Sequence, residues 1–298
     1  MDIKKYETLL KVVDRGGLSQ SAEDLGYTRS ALSKIIGSME KEIGFPLVKR
    51  TRNGIALNEE GERVIPLIRE FLKVNTILEE EYAMIRGMTQ GKIRIGSFPT
   101  MAYLLMPDIL KGFNKIHPGI QMEVVEEHSL RQLEAWLKQG IIDVALFSRE
   151  PYHEFDWIQV MEEPYVALIP KECALAEKEI ISVEEMFDYK LILFKTHEGY
   201  DQDMMKIQEI VNGNKEARYH TNSIYLVQKM VAYDSCVSVV PLSVARETQV
   251  QFPVAYRELD TEVKRTIGFA VKHKENVSLI LREFLRYVKK ERQTYLPK

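Results

Sequence analysis

The chain has 298 residues, 45% apolar and 29% charged, which excludes disorder, a collagen repeat or a coiled-coil rod and predicts two or three cores. Its longest apolar run, Met101 to Met106, is too short to cross a membrane, and the start Met1-Asp2-Ile3-Lys4-Lys5-Tyr6 lacks a signal-peptide core, so a cytoplasmic chain without a membrane partner is expected. The formal net charge of −3 taken at face value disfavours nucleic acid, but an average can conceal a dipole.

Three amphipathic helices fit into the first 45 residues. The first carries Tyr6, Leu9, Leu10, Val12 and Val13 on one side and stops at Asp14-Arg15-Gly16-Gly17. Ser19 is the expected N-cap of the second, which buries Ala22 and Leu25 and stops at Gly26. Thr28 is the expected cap of the third, over Thr28–Glu42. That helix spaces Leu32, Ile35, Ile36, Met39 and Ile43 three and four apart. Its other face shows Arg29, Ser30, Ser33, Lys34, Gly37 and Lys41, without a carboxylate; Glu40 and Glu42 fall outside it. Small hydroxyls and cations on the second of two turn-linked helices are what a major-groove reader requires.

A hairpin follows over Leu47 to Leu57, turned by Asn53-Gly54 and loaded with Lys49, Arg50 and Arg52. A basic hairpin beside such a helix reads as a wing along the phosphates. Residues 26–58 hold six cations against Glu40 and Glu42, a net of +4, which leaves −7 on the rest. An isolated basic helix is as well explained by solvation. Helix-turn-helix spacing, a carboxylate-free face and a basic hairpin in that order argue for double-stranded DNA. The candidate DNA-binding residues are Ser19, Thr28, Arg29, Ser30, Ser33, Lys34, Lys49, Arg50, Arg52 and Asn53.

Residues 3–61 resemble the N-terminal domain of LysR-type transcriptional regulators. The resemblance is carried by Leu18 to Leu25, Thr28 to Ile36, Met39 to Gly44, Leu47, Arg50, Leu57 and Gly61. The family usually has Ser-Gln-Pro where Thr28-Arg29-Ser30 stand, so Arg29 replaces a typical DNA-contacting Gln. It also has Phe at Val48, and Thr and Ala at Asn58 and Glu60.

From Glu62 to about residue 86 the pattern is helical, with Pro66 placed in its first turn. Val64, Leu67, Phe71, Val74 and Leu78 form a heptad seam, continued out of phase by Tyr82 and Ile85. No nearby segment matches this stripe, so a second copy is the expected partner; packing on the chain's own C-terminal part is the alternative. The resemblance implies a linker helix in a homodimer, with a homotetramer favoured, and RNA polymerase as a further partner if the regulator activates.

Strands and helices alternate from residue 91 onward, which predicts an α/β fold with mostly parallel strands. Expected strands include residues 92–96, 120–125, 144–147, 165–169, 191–194 and 237–240. Helices are expected through Leu104 to Phe113, over 130–138 and over 201–211. A last strand at 267–271 and helix at 279–289 look able to rejoin the first set. That gives two lobes with crossovers near residues 161 and 266. Small ligands bind where strand ends lead into helix starts, and free amides there favour anions. The candidate effector residues are Ser97, Phe98, Pro99, Thr100, His128, Ser129, Ser148, Arg149, Lys195, Thr196, Asn222 and Ser223. Each hydroxyl could equally serve only as a helix cap. The family pattern implies a two-lobed effector domain like the periplasmic solute-binding proteins, with these turns lining the cleft. A small organic acid is the ligand class this favours. Asp234 and Cys236 replace two glycines usual in the family, and Asp234 counts against an acid. Asp is also the residue expected to take the left-handed turn there.

Nothing in the sequence supports an enzyme, a metal or a cofactor. The six histidines show no metal spacing, no GxSxG or GxGxxG occurs, and Gly87 to Lys92 imitates a phosphate loop without its Ser or Thr. Cys173 and Cys236 form no CxxC pair and read as reduced core residues. The expectation is an all-α winged helix-turn-helix over 1–60, a linker and dimerisation helix over 61–87, and an effector domain over 88–298. Its lobe I takes 91–161 and 267–298, and its lobe II takes 162–266. Operator binding or promoter activation would respond to a small-molecule effector. The alternative is a cytoplasmic small-molecule-binding or enzymatic module with a vestigial helix-turn-helix.

Overall fold

The computed structural model describes residues 2–51, 54–85, 91–149, 154–195, 202–210 and 217–291. It separates into two compact units, Met1–Met88 and Thr89–Lys298. No helix among the described residues is long and apolar enough to cross a membrane.

The first unit contains α1 (Ile3–Asp14), α2 (Leu18–Leu25), α3 (Arg29–Ile43), the antiparallel hairpin β1 (Val48–Thr51) and β2 (Gly54–Leu57), and α4 (Glu59–Ile85). Leu9, Val12, Leu32, Ile36, Met39 and Leu47 form its core, joined by Ile65 and Ile68 from the start of α4. Gly26 ends α2 at φ +65°, a left-handed position where any other L-residue would be strained. The Thr28 hydroxyl then accepts the Ala31 N–H at 3.2 Å and starts α3 as expected.

Two expectations are corrected here. The N-cap of α2 is Gly17 with no side-chain bond, so Ser19 is already inside the helix, because the turn after Asp14 is two residues shorter than supposed. Helix α4 begins at Glu59, since Asn58 caps it by accepting the Gly61 N–H at 2.8 Å. Pro66 therefore lies in the helix interior rather than the first turn. Its site is exposed, so water can satisfy the carbonyl one turn back that a proline cannot serve.

The second unit runs β3 (Gly91–Ser97), α5 (Pro99–Ile116), β4 (Ile120–Glu126), α6 (Leu130–Gln139), β5 (Val144–Ser148) and β6 (Asp156–Pro170). Then come β7 (Ile180–Ile181), α7 (Val183–Met186), β8 (Ile192–Phe194), α8 (Gln202–Ile210), β9 (Tyr219–Thr221) and α9 (Ile224–Tyr233). It ends with β10 (Ser238–Pro241), α10 (Leu242–Gln251), β11 (Val254–Leu259), β12 (Lys264–Val271) and α11 (Leu279–Glu291). The main sheet has the order β4-β3-β5-β12-β6-β11-β7, with β10 also on β6.

The expectation of mostly parallel strands does not hold. β3 pairs in parallel with β4 and β5, β8 with β9 and β11 with β7, but β12 is antiparallel to both β5 and β6, so as many pairings are antiparallel as parallel among the described strands of this unit. β10 and β11 are antiparallel to β6 as well. The returning strand β12 enters the middle of the sheet, so a pattern of alternating strands and helices hides its direction.

Strand β6 is one continuous element whose two ends serve different cores. Val160 and Met161 pack with Ile93, Phe113, Phe269 and Phe284. Tyr165, Ala167 and Ile169 pack with Ile181, Leu193 and Val239, and Val166 and Leu168 pack with Val227 and Val240. Between these groups sits a buried ion pair. Glu163 on β6 is paired in register with Arg265 on β12, and its Oε1 accepts from Arg265 Nε at 3.1 Å and Nη2 at 2.5 Å. The same carboxylate accepts the Ser243 N–H at 2.7 Å and hydroxyl at 3.1 Å, which seats the start of α10. This buried carboxylate on β6 is thus satisfied from two other elements, β12 and α10, and ties the three together.

Candidate functional site

Helix α3 divides its faces as expected. Leu32, Ile36 and Met39 are buried, whereas Arg29, Ser30, Lys34, Gly37 and Lys41 are exposed and Ser33 is half-buried. The Thr28 and Ser30 hydroxyls lie 3.0 Å apart at its N-terminus. Ser19 is exposed near the start of α2, and because it is not the cap its hydroxyl is not committed to that role. Tyr27, 48% exposed in the turn before α3, belongs with these residues and was not singled out in the sequence. Its signal was a lone aromatic in a polar turn.

In the hairpin, Lys49 is exposed on β1. Arg52, Asn53 and the Arg50 side chain lie outside the described residues, so the expected turn is not placed. The wing is held from three sides. The Glu40 carboxylate on α3 accepts the Leu47 N–H at 2.7 Å and the Val48 N–H at 3.1 Å. The Asn58 amide donates to Pro46 O at 2.9 Å, and the Asn58 N–H donates to Leu47 O at 3.1 Å. The Ile55 N–H on β2 donates to Gly16 O at 3.3 Å. Gly61 is required by this packing: a Cβ there would stand 2.1 Å from Leu47 O. Lys5 on α1 bonds the Glu42 carboxylate and the Ser38 hydroxyl on α3, each at 3.2 Å, and holds the Glu42 carboxyl below its usual pKa.

Along α4 the seam splits. Val64 is half-buried against the unit's own core. Leu67 is 70% exposed, and Phe71, Val74, Leu78, Tyr82 and Ile85 are exposed with it. Phe71 meets the Tyr6 ring edge-on at 5.7 Å, and Arg69 pairs with Asp14 through both carboxylate oxygens.

In the second unit the strand register groups the effector candidates. Ser97 pairs with Glu126 and with Leu146, so the ends of β3, β4 and β5 share one sheet edge. Ser97 to Thr100, His128, Ser129, Ser148 and Arg149 all follow from those ends. Phe194 pairs with Thr221, and Lys195 N–H donates to Thr221 O at 2.8 Å, so Lys195, Asn222 and Ser223 share the end of the β8–β9 ladder. Thr196 lies outside the described residues.

The hydroxyls do serve as caps. Ser129 Oγ accepts the Gln132 N–H and Ser223 Oγ the Leu226 N–H, while buried Ser97 Oγ donates to Phe98 O. A hydroxyl that accepts a backbone N–H still has its own proton to give, so capping by Ser223 is compatible with binding an acceptor.

Asp234 does not take the left-handed position. It keeps φ −123°, and Ser235 is at φ +52° instead. The Asp234 carboxylate pairs with Lys190 at 2.7 Å; this bond lowers the pKa of Asp234 and raises that of Lys190. Its charge is therefore already partnered. Cys236 is fully buried, and that burial pushes its thiol up; Cys173 is half-buried, and both are free. Among the described residues no three His, Cys, Asp or Glu cluster as a metal site.

The comparisons with known proteins agree with this geometry. Residues 3–62 match the family model "Bacterial regulatory helix-turn-helix protein, lysR family", and residues 86–293 match "LysR substrate binding domain". An uncharacterized HTH-type transcriptional regulator, YybE of Bacillus subtilis strain 168, is 26% identical over 293 residues, covering 96% of each chain. A full-length single-site variant of OxyR from Pseudomonas aeruginosa superposes with a TM-score of 0.76 at 17% identity, over 98% of this chain and 95% of that one. CbnR complexed with its target DNA superposes at 0.66 and 18% identity, over 97% and 99%.

Proposed function

The chain belongs to the lysR family of bacterial regulators, and from that premise we propose which of its residues read DNA, pair two copies and sense the effector. It is a DNA-binding transcriptional regulator with an effector-binding domain. An enzymatic module with a vestigial head is set aside, since both matched models describe a regulator and its relatives are named as regulators.

In our reading residues 1–60 form the reading head. Arg29, Ser30, Ser33 and Lys34 enter the major groove, with Thr28 and Ser19 on flanking phosphates. Lys49, Arg50, Arg52 and Asn53 lie along the backbone as a wing. The observation that carries this is the split of α3, whose exposed side bears Arg29, Ser30 and Lys34 and whose opposite side is buried. Arginine is suited to a bidentate bond with guanine, so Arg29 selects sequence while the wing supplies affinity.

Residues 61–87 pair two copies through Leu67, Phe71, Val74 and Leu78, with Val64 at the inner end. A dimer is supported by the exposure of this stripe, and in our reading two dimers join as a tetramer. Residues 88–298 sense a small organic acid, held between lobe I (91–161 and 267–298) and lobe II (162–266). Support comes from the Ser223 hydroxyl, which caps its helix as an acceptor, and from the exposed Lys195 at the end of the same ladder. The site of action is cytoplasmic, with RNA polymerase as partner if the regulator activates.

Footprinting the full chain on the intergenic DNA beside its own gene tests the head. Arg29→Ala should abolish the footprint at concentrations where Lys49→Ala only weakens it on every sequence. An unchanged Arg29→Ala titration would remove α3 from the groove.

A further inference from the structure

The recognition helix carries a carboxylate, Glu40, on the residue row next to its DNA-facing side. A carboxylate close to a phosphate chain opposes binding, unless it does something that compensates. Its geometry shows what that is. One oxygen, Oε1, accepts two consecutive backbone N–H groups at the entry of the hairpin, Leu47 at 2.7 Å and Val48 at 3.1 Å. Those two residues are the point where the chain leaves α3 and begins β1.

The same entry segment, residues 46–48, is seized from the other side. Asn58 holds Pro46 O through its side-chain amide and Leu47 O through its own N–H, while its Oδ1 caps α4. Gly61 closes on Leu47 O without room for a Cβ. Residues 46–48 are therefore pinned between α3 and α4, and the Glu40 bonds are the α3 half of the clasp.

We propose that Glu40 is a positioning residue for DNA binding, fixing the height and tilt of the basic hairpin against the recognition helix so that wing and helix engage the duplex together. It touches no DNA. Its effect passes through Lys49 and the neighbouring hairpin cations, so the inference rests on the wing reading above. A side-chain carbonyl has two lone pairs on one oxygen, so Gln at this position can keep both bonds while losing the charge. Asp keeps the charge and withdraws the oxygens by one methylene.

The test measures binding of the full chain to a random-sequence 30-base-pair duplex over a series of NaCl concentrations. The slope of log affinity against log salt counts phosphate contacts at about 0.9 each. Glu40→Gln should keep the parent slope. Glu40→Ala and Glu40→Asp should each flatten it by about one to two contacts' worth. Lys49→Ala should cost several-fold in the parent and much less in the Glu40→Ala background, because a displaced wing has already lost that contact. Should Glu40→Ala fail to fold, judged by its far-ultraviolet dichroism, Glu40→Asp carries the same comparison.

If Ala, Asp and Gln all keep the slope, or if Ala and Gln both tighten binding, Glu40 is a plain repulsive charge and the proposal falls. An equal Lys49→Ala cost in both backgrounds overturns it too. A Lys49→Ala variant indistinguishable from the parent removes the wing from DNA; that failure belongs to the reading underneath, and it takes this inference with it.

Discussion

Arg265→Met leaves a buried carboxylate without its charge partner. In the native unit the Glu163 side chain is completely enclosed and Arg265 nearly so. Methionine fills much of the guanidinium's volume but supplies no donor. Glu163 would retain the Ser243 N–H and hydroxyl, both already made, and gain nothing in return. Removing one partner of a buried pair costs about 3–5 kcal/mol, because the other charge is left without compensation. At a denaturant slope of about 2–3 kcal/mol per molar urea, the midpoint should fall by about 1–2.5 M. Both tryptophans, Trp136 and Trp157, lie in the second unit, so tryptophan fluorescence follows its unfolding without a contribution from the reading head. The double variant Glu163→Gln/Arg265→Met removes both charges and should recover most of the loss. A midpoint drop under about 0.3 M for Arg265→Met would refute the reasoning. So would a double variant as unstable as the sum of its single changes, since the pair would then be two independent contacts.

Three further outcomes are expected. Leu67→Lys combined with Val74→Lys should convert the full chain to monomers by sedimentation velocity; an unchanged mass would place the pairing surface elsewhere. Gly268→Ala should destabilise the second unit by about 1–3 kcal/mol and alter the Trp157 emission, since overpacking forces neighbours to move. The added Cβ would stand 2.5 Å from Ile158 O and 2.6 Å from the Trp157 ring, and a variant as stable as the parent would contradict that packing. Iodoacetamide at pH 8 should label Cys173 in the native chain and Cys236 only in urea. The sign follows from burial: the folded state disfavours the Cys236 thiolate, so the fold resists ionisation at pH values where the unfolded thiol already ionises. Fast native labelling of Cys236 would sink this.

Local chemistry made much of this legible in the sequence. Thr28 before an apolar run and Gly26 after one are short-range signals, and each is used as such. The hairpin pairing Val48 to Leu57 followed from two short runs around a turn. Ser19 failed because Ser at a plausible cap position looks the same whether the helix starts before or after it. The start of α4 was missed because the Asn58 cap lies inside what reads as the end of a strand. Glu40 is invisible for another reason. At a polar position of an amphipathic helix, a carboxylate that grips two amides has the same letter as one in water. Glu163 is harder still. A charge between Met161 and Tyr165 looks like a strand end, whereas its partner lies 102 residues away and makes the strand continuous. The seam on α4 showed its period but not that Val64 turns inward, since only the position of the helical core decides that.

Strand β12 has a consequence for the order in which the protein is made. It sits between β5 and β6, and its residues Ile267, Phe269 and Val271 belong to the same core as Ile93 and Phe113. Between them, residues such as Tyr165, Leu193, Val239 and Leu259, and Val166, Val227 and Val254, build cores of their own. On a ribosome delivering the chain from the N-terminus, the inserted half can complete its cores while the half that began first stands open along β5. The earlier half closes only when β12 and α11 emerge, by pairing across more than a hundred residues of sequence, which is the slow kind of contact. The unpaired edge of β5 is therefore the stretch where a chaperone has most to protect, and truncation between β5 and β12 should leave an aggregating second unit rather than a smaller folded one.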